Sequence, residues 1–298
     1  MLEAFSTPGR FWRGNLHGHS TNSDGRLTPE EVCARYRAQG YDFVSLTDHF
    51  RPNYNFPISD TRAHRANGFT TILGAEVHAP ALASGIEWHL LAVGLPADFP
   101  ATGSEETGVT LAQRCRDAGA FVAIAHPEWY HLTLDDALTI ESAHAVEVYN
   151  HTCAVNADRA SGTALLDTLL NAGRRLNAIA VDDSHWRVDD GFGGWVMVKA
   201  EENDPDQLLD ALKAGAFYAS QGPEIHGVVR DGDEIEVRCS PARSVLLLGP
   251  GRVTERVHGH TLTRARLPLE KFAGHWCRAV VVDAAGKRAW TNPLWLDG

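Results

Sequence analysis

The chain has 298 residues, 44% of them hydrophobic, and a formal net charge of -11 from 38 acidic and 27 basic side chains. That length suits one large α/β domain with a small companion, or two medium domains. The acidic balance argues against nucleic-acid binding, and no apolar run reaches the roughly 18 residues of a membrane span.

A lead-in over residues 1–14, without the basic segment and apolar core of a secretory signal, passes into Asn15-Leu16-His17-Gly18-His19-Ser20 at the end of a short strand. Two imidazoles one residue apart can face one ion because the chain turns at Gly18, and Asp24 follows on the next loop. Thr28-Pro29-Glu30-Glu31 predicts a helix start, with Thr28 as N-cap and Glu31 reaching back to it. Beyond Gly40, the apolar run Phe43–Thr47 reads as a buried strand that delivers Asp48-His49. The same unit returns twice with chemistry at its end. Phe121–Ala125 delivers His126, and Ala178–Val181 delivers Asp182-Asp183-Ser184-His185. A last unit ends Lys213-Ala214-Gly215 before Phe217-Tyr218-Ala219. Each helix closes on a glycine, as a left-handed C-terminal residue requires. Between these units lie strands carrying Glu76, His89 and the run Ala145–Tyr149. Continuously apolar strands alternating with helices imply parallel strands covered on both faces.

After Gln221-Gly222-Pro223 the pattern changes to short β-rich runs, Ile235–Arg238, Val245–Leu248, Thr261–Leu267, Arg278–Val282 and Ala289–Thr291. Glycine turns separate them, and a small antiparallel β-sandwich is expected over 222–298, docked closely against a catalytic domain over 1–221.

The residues that accompany the strands are His17, His19, Asp24, His49, Glu76, His89, His126, Asp183 and His185. Six histidines and three carboxylates converge at one mouth if the strands are parallel and closed. That mixture suits zinc, manganese or iron, whereas calcium would want oxygen alone. Nine ligands are too many for one ion and fit two or three. Such a cluster carries excess positive charge, attracts an anionic substrate, and points to a hydrolase. His258-Gly259-His260 repeats the spacing without acidic neighbours and reads as a surface loop. His64, His144, His226 and His275 also read as ordinary histidines. The five cysteines contain no C-x-x-C pair, which fits reduced thiols in a cytoplasm and gives no thiolate metal site.

The motifs NLHGHSTNSDG, VSLTDH, GAE, HLLAVG, AHP and DDSHW occur in this order. Together they make the chain resemble the polymerase-and-histidinol-phosphatase (PHP) superfamily of metal-dependent phosphoesterases. LLDALKAGAFYASQGPEI and WTNPLWL resemble its branch with a C-terminal β-domain, which includes carbaryl hydrolases. The resemblance implies a distorted (β/α)7 TIM-like barrel. It also implies one metal on His17, His19, Glu76 and Asp183, a second on Glu76, His89 and His126, and a third on Asp24, His49 and His185. A bridging hydroxide would be the nucleophile, with Glu76 and Asp183 as its supports.

Around that cluster, Arg51 and Arg187 are candidate clamps for a phosphoryl oxygen, and His151 a candidate for substrate binding or leaving-group protonation. His78, which shares a strand face with Glu76, and His131 are further candidates for contact. The expected activity is a cytoplasmic phosphoesterase acting on a small phosphorylated metabolite, with no nucleic-acid or membrane partner. The alternative is hydrolysis of a carbamate, amide or carboxylic ester by the same metal-bound hydroxide, left open by Trp88, Trp129, Tyr130 and Trp186 beside ligand positions.

Overall fold

The computed structural model describes residues 2–296; Met1, Asp297 and Gly298, at the ends of the two expected domains, lie outside the described residues. The first strands are β1 (Arg10–Asn15), β2 (Phe43–Leu46), β3 (His49–Phe50), β4 (Thr70–Ala79), β5 (Trp88–Val93), β6 (Phe121–Ile124), β7 (Ala145–Asn150) and β8 (Asn177–Val181). They are followed by β9 (Trp195–Ala200), β10 (Phe217–Ser220), β11 (Ile225–Asp231), β12 (Glu234–Leu248), β13 (Thr254–Pro268), β14 (Trp276–Val282), β15 (Arg288–Thr291) and β16 (Leu294–Trp295). The helices are α1 (Glu3–Ser6), α2 (Pro29–Ala38), α3 (Gly108–Asp117), α4 (Leu134–Thr139), α5 (His151–Ala157), α6 (Thr163–Asn171) and α7 (Pro205–Ala214). Local signals explain their ends. Thr28 and Glu31 form a reciprocal capping box at α2, while Asp204 caps α7 and Gly215 closes it at φ 75°.

All sixteen strands join in one mixed sheet whose main path runs β11-β12-β14-β15-β10-β9-β1-β2-β4-β5-β6-β7-β8, with β13 beside β12, β16 beside β14 and β3 beside β4. Side chains such as Leu16, Leu91, Phe121, Ile179, Val196 and Phe217 meet in a single buried cluster, so the sheet from β1 to β10 curls around them. The expected closed barrel is not what the ladders draw, because the path stays open at β8. There the edge is joined to β1 through loops: Asn15 Oδ1 accepts from Asp182 N at 2.9 Å, and His17 O accepts from Asp183 N at 2.9 Å. Nor are all core strands parallel, because the short connection from β4 makes β5 antiparallel to both β4 and β6. His89 therefore reaches the same end as Glu76 from the start of a strand, paired beside His78.

The C-terminal strands continue the same sheet through the β15–β10 ladder. The expected separate sandwich is thus, in hydrogen bonding, an extension of the main sheet. Its two faces are packed differently. Cys277, Ala279 and Val281 of β14 join a core with β11–β13, whereas Trp276 and Val280 join the core under the helices. The runs expected as two strands, Ile235–Arg238 and Val245–Leu248, form one long β12. Pro241 is tolerated inside it because the register shifts between Arg238 and Ala242. His258-Gly259-His260 lies within β13 rather than in a loop, and His258 Nδ1 pairs with Ser244 Oγ at 2.8 Å.

Candidate metal centre

Glu76 is the centre of the site. It is fully buried near the end of β4, and six histidines bring a ring nitrogen close to its two oxygens. Oε1 lies 2.7 Å from His89 Nδ1 and 3.0 Å from His126 Nε2. Oε2 lies 2.6 Å from His49 Nδ1, 3.6 Å from His17 Nε2, 3.7 Å from His19 Nε2 and 3.7 Å from His78 Nε2. Asp183 faces the same space, with Oδ1 2.8 Å from His19 Nε2 and 3.3 Å from His17 Nε2. Asp24 Oδ1 sits 3.5 Å from His49 Nε2 and 3.3 Å from His185 Nε2. The nine residues expected as ligands are thus brought together. Their donor atoms fall into overlapping groups, each within 4.8 Å, including His19/Asp24/His49/His185, His17/His126/Asp183 and Glu76/His89/His126.

The local backbone is bent to achieve this. His126 has φ 22° and Asp183 φ 58°, left-handed values costly for residues with a side chain. Hydrogen bonds hold both: Glu147 Oε2 accepts from His126 N at 2.7 Å, and Thr152 Oγ1 donates to Asp183 O at 2.7 Å. Gly25 lets the Asp24 loop lie against the His19 backbone, since a Cβ there would stand 2.6 Å from His19 carbonyl carbon.

The remaining candidates divide. Arg51 and Arg187 both line a cavity of about 470 Å³ that opens over Asp24, His49, Asp183 and His185. Arg51 Nη2 is 3.5 Å from His89 Nε2 and is held by Glu87 Oε1 at 2.6 Å. Arg187 donates to the Asp24 carbonyl and approaches its carboxylate at 3.3 Å. His78 touches the cluster, 3.0 Å from His49 Nδ1. His151 pairs with Tyr149 OH at 2.8 Å, off the cavity wall, and His131 is exposed.

Three buried acids were not singled out from the sequence. Glu147 Oε1 lies 2.7 Å from His17 Nδ1. Asp48 accepts from Ser20 N at 2.7 Å and from the hydroxyls of Ser20, Ser23 and Ser59, fixing the loop before Asp24. Asp182 points away from its neighbour Asp183 and accepts from the amides of Phe192, Gly193 and Gly194. Its carboxyl is pushed up to about 6 by burial, against those hydrogen bonds.

Electrostatics show what the cluster demands. Burial pushes the Glu76 carboxyl up, but the imidazoles of His49, His89 and His78 outweigh it and hold it well below the usual range. Asp183 and Asp24 are likewise held low by neighbouring histidines despite burial. Against its own burial, His17 is raised well above its usual value by Asp183 and Glu147. His185 is raised to about 9 by Asp24 and Asp183. Burial and the neighbouring imidazoles drive His19 the other way, to about 4. The carboxylates therefore draw positive charge into a buried space. Four buried polar atoms in the cluster, His17 Nε2, Asp24 Oδ1, Glu76 Oε2 and His126 Nδ1, make no hydrogen bond among the described residues. Mixed imidazole and carboxylate donors, carboxylates that draw cationic charge and orphaned atoms at the centre fit divalent ions.

No protein-family model and no curated protein matches the chain. Among solved structures, the chain is similar over 97% of its length to 98% of a two-domain protein from Bacteroides vulgatus containing a predicted PHP-like metal-dependent phosphoesterase. The TM-score is 0.55 at 18% identity, so the fold is shared across both parts of the chain. The chain thus shares the mixed α/β fold of that protein. An amidohydrolase from Chromobacterium violaceum with bound sulfate and no metal is similar over 59% of this chain and 89% of its own, with 18% identity and a TM-score of 0.44. That likeness is too partial to carry weight.

Proposed function

We propose that the chain is a metal-dependent phosphoesterase of the PHP superfamily, hydrolysing a small phosphorylated metabolite, either a phosphomonoester or a phosphodiester. The observation that carries this is Glu76, buried and bracketed on both oxygens by histidines, with Asp183 and Asp24 completing the cluster. His17, His19, Glu76 and Asp183 would hold one ion, Glu76, His89 and His126 a second, and Asp24, His49 and His185 a third. Zinc, manganese or iron suits these donors, and when bound supplies Lewis acidity and a water of lowered pKa.

The chain's own residues supply binding and orientation. Arg51 stands beside His89 and Arg187 beside Asp24, so two guanidinium groups line the cavity where a phosphoryl group would sit. Both are preorganised by carboxylates, which holds each planar donor face in place. Glu76 keeps its charge fully buried among the strand ends, and Asp183 keeps its charge at the wall of the cavity. In the same reading the curled sheet from β1 to β10, open at β8, corresponds to the distorted (β/α)7 barrel, and 222–298 is its docked β-domain. The buried, unpaired state of all five cysteines supports a cytoplasmic location. Among the described residues no helix is long and apolar enough to cross a membrane.

One observation favours the alternative ester or carbamate substrate. Trp129 and Val188, both exposed, line the same cavity and offer apolar surface to a leaving group. The test is a panel of phosphomonoesters, phosphodiesters, aryl esters and aryl carbamates supplied with manganese, zinc or iron. Phosphoester turnover that depends on metal supports the proposal. Turnover confined to the carboxylic esters or carbamates would overturn it.

A further inference from the structure

Glu147 lies on β7, apart from the nine candidate ligands, yet it is fully buried against two of them. Oε1 is 2.7 Å from His17 Nδ1, while Oε2 accepts from His126 N at 2.7 Å and from Asn150 Nδ2 at 3.0 Å. Asn150 Nδ2 also donates to Asp183 Oδ2 at 3.1 Å. Glu147 and Asn150 thus touch His17 after β1, His126 after β6 and Asp183 after β8. We infer that Glu147, with Asn150, is the positioning residue that makes this part of the site competent to hold a metal. The inference rests on the metal-centre reading above.

A carboxylate can only accept, so the short contact to His17 Nδ1 requires the proton on Nδ1. In the neutral ring, the form that can bind a metal, His17 Nε2 is then the nitrogen that keeps its lone pair, and it is the orphaned atom that faces Glu76 at 3.6 Å and Asp183 at 3.3 Å. The other oxygen holds the His126 amide, and with it the left-handed backbone at φ 22° that turns its ring toward Glu76. Ligand histidines commonly depend on such an outer carboxylate, and losing it weakens metal binding about 10–100-fold.

Glu147→Gln separates this role from simple packing. An amide of the same shape has one oxygen for two sides. If that oxygen serves His126 N and Asn150 Nδ2, the NH₂ group faces His17 Nδ1. The imidazole proton is then driven to Nε2, which removes the lone pair from the ligand position. If the amide is turned over, two buried donors meet an NH₂ group instead.

The test is zinc titration of the full chain after chelator treatment, followed by calorimetry. Glu147→Gln is expected to weaken one zinc-binding step about 10–100-fold, with the circular dichroism of the metal-free protein unchanged. Glu147→Asp, which keeps the charge on a shorter arm, is expected to recover part of the loss. On a His17→Ala background the Glu147→Gln loss should be less than additive. Wild-type zinc affinity in a folded Glu147→Gln protein overturns the inference, as does full additivity with His17→Ala. Should Glu147→Gln fail to fold, Glu147→Asp decides, and wild-type affinity there overturns it equally. The readout does not depend on which ester is hydrolysed, and a wild-type chain that binds no zinc would instead count against the metal centre itself.

Discussion

Glu76→Gln is the substitution with the largest expected consequence. It preserves shape and one carbonyl oxygen but withdraws the negative charge to which six histidine nitrogens converge, the shortest contacts being 2.6 Å to His49 and 2.7 Å to His89. In the proposed assignment Glu76 alone serves two ions. A unit charge about 4 Å from another is worth ~4 kcal/mol at an effective dielectric near 20. Against divalent ions the loss is not smaller, and 1.4 kcal/mol corresponds to a factor of ten, so a fall of at least ~10³-fold in affinity and turnover is expected. Two ions should leave together. His89→Ala is the comparison, because it removes one neutral ligand from one position and should leave the rest of the complement bound. The assay is metal analysis and kinetics on both variants under identical metal supply. A Glu76→Gln protein with its full complement and near-normal turnover would refute the shared role of this carboxylate.

Other consequences follow from groups outside the centre. Changing His258 and His260 together to Ala should leave metal content and turnover unaltered, since His258 on β13 pairs with the Ser244 hydroxyl rather than with a carboxylate; loss of an ion would reveal a site there. Arg278 on β14 is buried and held by Asp167 of α6 through two bonds of 2.7 and 2.8 Å. Asp167→Ala strands that charge and should destabilise the protein by about 3 kcal/mol in urea unfolding, whereas an unchanged midpoint would show that the ion pair contributes nothing. His144 is pushed down to about 4 by burial, with Arg116 and Lys213 adding to it. The folded state then binds fewer protons than the unfolded chain between about 6.5 and 4, so this residue's contribution is whole above 6.5 and is lost as pH falls through that window. His144→Gln should flatten that fall in unfolding midpoints, and an identical pH profile would rule the contribution out.

Much of the site was legible because its ligands recur at the ends of apolar segments, as at His17, His49, His126 and His185. Spacing alone did not say which of two adjacent acids faces inward. Asp183 turns to the cluster through a left-handed backbone, while Asp182 turns away to cap the 192–194 amides. Glu147 was invisible for a different reason. In Ala-Val-Glu-Val-Tyr it occupies an ordinary strand position, and only the meeting of β7 with the ends of β1 and β6 gives it partners. The alternation of strands and helices was readable, yet the antiparallel insertion of β5 was not, since an apolar strand carries no mark of direction. The long β12 was hidden by Pro241, which sequence reasoning takes as a break and the fold absorbs in a bulge.

The central claim is that this buried cluster binds divalent metal ions, and elemental analysis of protein purified without chelator tests it most directly. Nine convergent ligand side chains with orphaned atoms at their centre predict two to three zinc, manganese or iron ions per chain. A content below one ion per chain, unchanged after reconstitution with each of these metals, would contradict the account.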